Sequence, residues 1–220
     1  MTGSPARRPR ARKGEGDRLR EEILQATERL LVRSGDQDAV SIRAIADVVG
    51  VSPPSIYLHF ADKSELFFAV SARHFLALDE AIESAATAAT DPIDELRLRG
   101  RAYVRFGLDH PEPYRILFMT RPSAQPATWT SDAVLENAAF AHHVDAVQRA
   151  IDAGAFPGDV DAFLVATGLW AAVHGVVSLL ITQPDFPWPD VEVLVDHMLA
   201  TQANGVAGGG RPADGPSDRR

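Results

Sequence analysis

Residues 41–63 read SIRAIADVVGVSPPSIYLHFADK, and the spacing of apolar residues in this stretch decides the fold. Ile42, Ile45 and Val49 fall on one side of a short helix that starts after Ser41 and stops at Gly50. Ser52 is placed to cap a second helix opening on Pro53, whose missing N–H costs little at a first helical position. On that helix Ile56 and Phe60 sit four apart and face inward, which leaves Ser55, Tyr57 and His59 outside. Two short helices joined by a tight glycine turn fit a helix-turn-helix, whose second helix is of a size to enter the DNA major groove.

Outward from this stretch almost everything reads as helix. Leu19, Ile23, Ala26 and Leu30 recur on one face of a first helix that Gly35 stops. Asp62 and Glu65 resemble a capping box, and a long helix follows to about Ala88. Asp91-Pro92 opens a fifth helix, which His110-Pro111 ends. Helices are expected over 113–118, 131–152 (stopped by Gly154), 159–182 and 189–202, with a proline-bearing loop over 119–129. No stretch alternates as a strand does, so the fold class is all-α, with about nine helices. The expected organisation is a basic arm over 1–16, a DNA-binding domain over 17–63, a larger helical domain over 64–202 and a tail over 203–220. Both ends are rich in Gly, Pro, Arg and small polar residues, and are expected to be disordered.

The chain has 220 residues, of which 45% are apolar and 24% charged, an ordinary balance for a globular protein. It contains no cysteine, which excludes disulfides, thiolate nucleophiles, cysteine-ligated zinc and iron–sulfur clusters. The net charge of −8 is unevenly divided. Residues 1–66 carry 11 Lys/Arg against 10 Asp/Glu, and the remainder 11 against 20. A nucleic-acid-facing end followed by an acidic remainder accounts for this asymmetry. No apolar run of the roughly 18 residues needed to span a bilayer is read from the sequence, so a cytoplasmic protein with no membrane partner is expected.

The anchors Ser41, Ile45-Ala46, Gly50-Val51-Ser52, Tyr57-Leu58-His59-Phe60, Lys63 and Leu66 resemble the DNA-binding domain of the TetR (TetR/AcrR) family of bacterial transcriptional repressors. The motif covers residues 17–66, and the helical layout resembles the family throughout. The resemblance implies a double-stranded DNA operator as partner. Ser41 and the helix end it caps would meet a phosphate, and Arg43 a phosphate or a base edge. Ser52 belongs to the same surface. Tyr57, His59 and Lys63 would bind backbone phosphates, while Ser55 and Pro54 would read bases. Pro53-Pro54 departs from the polar residues or glycine often found at those positions in the family.

The eighth helix is apolar all round and must be covered on both sides. Phe163, Trp170, Val173, Val177 and Ile181 share one face with His174, while Leu164, Gly168, Ala172, Gly175 and Leu179 share the other. The second face, with Val191, Leu194, Val195 and Met198 of the last helix, is expected to meet a second copy of the chain as a homodimer. The run Trp170 to Gly175 also resembles the ligand-binding domain of a TetR subgroup named for its Trp-His-Gly residues. An apolar chamber for a small-molecule effector is expected from Tyr103, Phe106, Gly107, Phe140, Val144, Val147, Phe163, Trp170 and Val177, with Tyr114 and Phe118 nearby. His174, with Tyr103 or His110, would supply its polar groups. The long fourth helix, through Phe67, Val70 and His74, would link that chamber to Lys63.

Other constellations are poor. His142 and His143 point to different sides of a helix, and Arg97, Arg101 and Arg105 form a stripe that reads as a solvated face. No cofactor, metal site or catalytic residue is expected, and the chain reads as no enzyme. The alternatives are a constitutive or architectural DNA-binding protein without effector, and a helical enzyme whose residues converge only in space.

Overall fold

The computed structural model describes residues 15–119 and 138–208. Residues 1–14 of the expected arm (1–16), the expected loop beyond 119, the expected helix start over 131–137 and residues 209–220 of the expected tail (203–220) lie outside the described residues, whereas 15–16 and 203–207, expected to be disordered, are helical. Among the described residues there are nine helices and no strand. They are α1 (Glu15–Ser34), α2 (Ile42–Val49), α3 (Pro53–Ile56), α4 (Lys63–Ala86), α5 (Pro92–Asp109), α6 (Pro111–Phe118), α7 (Ala138–Asp152), α8 (Ala162–Thr182) and α9 (Val191–Ala207). The chain forms two compact units, one within Met1–Ala77 and His110–Trp129, the other within Leu78–Asp109 and Thr130–Arg220. The division falls inside α4, later than the expected boundary at 63/64, and gives α6 to the first unit.

In the first unit α1 packs on α2 and α6, and α2 on α3. The core joins Ile23, Leu31, Ile45, Ile56, Phe60, Leu66, Phe67, Val70 and Ile116, with Ile42 and Val49 packed against it. Phe67 and Val70, expected to reach the effector chamber, are part of this core instead. The caps behave as their residues dictate. Ser41 Oγ accepts the Ala44 N–H at 3.1 Å, and Gly50 ends α2 at φ 78°, a left-handed conformation that strains other residues. Asp62 accepts the Glu65 N–H at 2.8 Å while Glu65 reaches back to the Ala61 N–H. Asp91 accepts from Ile93 and Asp94, both at 2.9 Å, ahead of α5.

In the second unit α8 packs on α5, α7 and α9, and α5 packs on α7 and α9. Leu96, Ala146, Val147, Ala150, Phe156, Ala166 and Leu169 form one core, with Phe140, Val144 and Phe156's neighbour Ala155 at its edge. Several details differ from the sequence reading, among them the end of α4 at Ala86 rather than 88 and the starts of α8 at Ala162 rather than 159 and of α9 at Val191 rather than 189. Helix α6 starts at Pro111 rather than 113, with His110 at its cap position. Helix α9 continues to Ala207, beyond the expected end at 202, because Ala203 and Val206 pack on the core despite Gly205. Helix α8, at 21 residues, is by length and composition apolar enough to cross a membrane, contrary to the expectation that no such run exists. A core helix passes the same test, and α8 buries Ala166, Leu169, Val173 and Val177.

The Arg stripe of α5 is not simply solvated. Arg101 Nε donates to Asp196 of α9 at 2.6 Å, Arg105 faces Glu192 at 3.3 Å, and Arg97 pairs with Asp94. The Arg101 guanidinium holds the Asp196 carboxyl below its ordinary range. Between these helices Gly100 lets α9 approach, since a Cβ there would lie 2.6 Å from Leu199 Cδ2.

His143 ties α7 to α8 by donating from Nε2 to the Ala166 carbonyl at 3.1 Å. Burial, aided by the charge of Arg99, lowers its pKa to about 4, although the bond to Ala166 opposes this. The unfolded chain therefore takes up a proton near pH 6.5 that the folded chain refuses until about pH 4. This stability is complete above pH 6.5 and is lost as pH falls toward 4, about 3 kcal/mol in all. Denaturant melts at pH 7, 5.5 and 4.5 are expected to show that decline, and His143→Gln to flatten it. An equal decline in both chains would assign the acid sensitivity elsewhere.

Candidate nucleic-acid interface

The surface of the first unit opposite its core carries the residues singled out for DNA. Ser41, Arg43, Ser52, Pro54 and Tyr57 are exposed, and Ser55, His59 and Lys63 are half-buried. Ile45, Ala46, Ile56 and Phe60 anchor the two short helices beneath them. Because the Ser41 oxygen accepts the Ala44 N–H, what it can offer a phosphate is its hydroxyl proton. Arg43 stands one residue into α2 on the same exposed end.

Ser52 holds the cap position of α3 but makes no side-chain bond to the backbone. Its hydroxyl instead lies 2.9 Å from the Ser55 hydroxyl. This corrects the expected cap, and it joins the residue assigned to base reading with its neighbour. The helix is also shorter than the Ile56–Phe60 spacing suggested. It closes at Ile56, and the His59 and Phe60 N–H groups both turn back to the Ile56 carbonyl, at 2.9 and 3.1 Å. That single tight turn still directs Phe60 inward and leaves Tyr57 and Leu58 exposed, Leu58 at 83%. Leu58 is a surface residue the periodicity could have found, since a position between two inward-facing ones points out.

Lys63 begins α4 with its ammonium 5.0 Å from the Phe67 ring centroid, and Arg20 lies 4.9 Å over Phe60. Both cations thereby rest against aromatic faces at the edge of the core. Arg20 was not singled out beforehand, and only its place on a neighbouring helix reveals it.

The residues expected to form an effector chamber divide between the units. His110, Tyr114 and Phe118 belong to the first, where Tyr114 is fully buried and its ring lies tilted against Phe118, with centroids 4.9 Å apart. The others belong to the second. There Trp170 Nε1 donates to Tyr103 Oη at 3.1 Å, and Tyr103 Oη lies 3.4 Å from His174 Nδ1. Phe140 stands edge-on to Phe163 and Trp170, at 5.6 and 5.9 Å. Phe106, Gly107, Val147 and Val177 are buried and Val144 is half-buried. Burial lowers the pKa of His174, which favours a neutral ring.

The face of α8 assigned to a partner copy is open. Leu164 is 70% and Leu179 49% exposed, Gly168 is exposed, and Ala172 and Gly175 are half-buried. On α9, Val191, Leu194 and Met198 are half-buried, but Val195 is 2% exposed. Val195 thus packs within its own chain, and Val193 takes the outward position.

An all-helical chain with an exposed helix-turn-helix ahead of a larger helical unit defines a class, the DNA-binding transcription regulators. Residues 23–70 match the family described as bacterial regulatory proteins, tetR family, and residues 96–202 match the tetracyclin repressor-like C-terminal domain. The chain belongs to the TetR family of transcription regulators. The HTH-type transcriptional activator FasR of Mycolicibacterium smegmatis is 33% identical over 117 residues, 51% of this chain and 53% of that protein. The chain therefore spans about half the length of that relative. A protein of unknown function from Rhodococcus sp. RHA1 superposes with a TM-score of 0.69 at 28% identity, over 86% of this chain and 95% of that one. A TetR family regulator from Marinobacter aquaeolei VT8 shares the fold, with a TM-score of 0.69 at 23% identity over 88% and 98% of the two chains. The family matches and the curated relative are transcription regulators, not enzymes.

Proposed function

We propose that the protein is a cytoplasmic, homodimeric repressor that leaves a palindromic operator when a small, largely apolar effector binds. The observation that carries this reading is the pairing of an exposed helix-turn-helix surface with an α8 face that remains open in a single chain. Two such surfaces related by a two-fold axis would read half-sites about one helical turn, or a multiple of it, apart. The aromatic group around Trp170, with the polar Tyr103–His174 pair, has the character of a small-molecule site. Such an effector acts only by binding the DNA-incompetent state more tightly than the competent one.

Gel-shift titrations at fixed salt on a footprinted operator test the DNA half. Tyr57→Phe and Lys63→Ala are expected to weaken all sequences by similar factors, as losses of phosphate contacts do. Ser55→Ala is expected to change base preference, and Ser52→Ala to do so more weakly through the hydroxyl pair. A changed preference with intact affinity in Tyr57→Phe would invert these roles. Trp170→Ala tests the effector half, and is expected to blunt effector release more than operator binding. A compound that raises the melting temperature but leaves DNA affinity unchanged would disconnect this site from regulation. Activation rather than repression is the second reading, favoured by the activator FasR, and a reporter gene behind the operator separates the two.

A further inference from the structure

We propose that Asp79, Glu83 and His142 form a binding site for a divalent transition-metal cation, Zn2+ foremost. Asp79 and Glu83 lie four residues apart on α4, so both carboxylates project from one side of the helix. Helix α7 brings His142 to them, and one ligand atom from each of the three residues lies within 4.8 Å of the others. His142 Nδ1 is 3.0 Å from Asp79 Oδ1 and 3.4 Å from Glu83 Oε1. The two separations from His142 have the length of edges of a small coordination polyhedron. Bonds of about 2.0–2.2 Å place neighbouring ligand atoms roughly 3.0–3.5 Å apart in octahedral or tetrahedral geometry.

The hydrogen bonding leaves room for such an ion. Two carboxylates approach the same ring nitrogen, yet a neutral imidazole carries at most one hydrogen there and serves one of them. With a cation bound, Nδ1 presents its lone pair, the ring proton sits on Nε2, and both carboxylates become ligands. Arg99 binds both oxygens of Glu83, with Nη1 2.7 Å from Oε1 and Nη2 3.1 Å from Oε2, which fixes the direction of that carboxylate and leaves the second lone pair of Oε1 to an ion. The His142 side chain is 44% exposed, which gives the ion an entry path. One imidazole and two carboxylates suit Zn2+, Co2+ or Mn2+ rather than a soft, thiolate-seeking ion. Sixty-three residues separate Asp79 from His142, so sequence spacing could not reveal the set.

The test is calorimetric titration of Zn2+ and Co2+ into the untagged, chelator-stripped full chain without DNA, so that its outcome is independent of the repressor reading. One ion per chain is expected to bind. Asp79→Asn and His142→Gln should each lose at least about tenfold in affinity while keeping their helical circular dichroism. X-ray absorption on the zinc-loaded wild-type chain supplies a readout that needs no variant, and is expected to show one imidazole among oxygen ligands. Absence of saturable binding, unchanged affinity in His142→Gln, or a shell of two or more imidazoles would overturn the assignment.

Discussion

A Gly175→Leu chain is expected to fold as well as the wild type and to remain a monomer. A Cβ built at Gly175, or at Gly168, meets no atom within 4 Å, so a single chain accommodates the larger side chain. Replacing a helical glycine also removes about 1 kcal/mol of unfavourable propensity, which moves monomer stability upward if at all. A partner helix seated on the same face would be forced away. Overpacking costs about 1–3 kcal/mol per site, and two-fold symmetry applies it twice, which weakens association by roughly 30-fold to 25,000-fold. Operator affinity would then fall about a thousandfold, toward non-specific binding. Sedimentation and gel shift on the same sample check both halves. A Gly175→Leu protein that sediments as a dimer would place the interface on another surface.

Arg99→Met is expected to produce the opposite pattern, a loss of stability without a direct effect on assembly. The Arg99 side chain is 4% exposed and bridges Glu83 of α4 and Glu95 of α5, the latter at 2.9 Å from Nε. Methionine keeps most of the apolar stem but leaves two carboxylates without their shared cation. Breaking a buried pair by removing one partner costs about 3–5 kcal/mol. The lower end, about 3 kcal/mol, is expected here because Glu83 reaches water and Glu95 keeps Arg149. Arg149, with Arg99 adding to it, holds the Glu95 carboxyl below its ordinary range. That contribution is present above the unfolded carboxyl range and is lost as pH falls through the folded one. Urea melts at pH 7 should show a lower midpoint with an unchanged slope. A loss under 1 kcal/mol would mean that the network is replaceable.

Local chemistry made much of this fold legible. Ser41, Gly50, the Asp62–Glu65 pair and Asp91-Pro92 each act within a few residues, and the structure places each where its hydrogen bonding requires. The short α3 was less legible because two serine hydroxyls can satisfy each other instead of the backbone, and Ser52 takes that option. The last turns of α9 were missed because packing of Ala203 and Val206 outweighs a glycine's poor propensity. The exposed face of α8 followed from its periodicity, but the inward turn of Val195 depended on α5 lying alongside. The charged residues were hardest to read. Arg101 and His142 gain their roles from carboxylates on other helices, as Arg99 does from Glu83 beyond its i,i+4 partner Glu95, and no single-helix pattern carries that information.

The apolar composition of α8 bears on how the protein is made. As this segment leaves the ribosome it has the length and apolarity that membrane-targeting machinery selects. Chains emerge at about 5–20 residues per second, N-terminal part first. By then α5 and α7, two of the helices that cover α8, have already been synthesised. They can receive Ala166, Leu169 and Val173 while α9 is still to come. Placing the greasiest helix late in the chain, behind its own packing partners, shortens the interval in which it could be diverted to a bilayer.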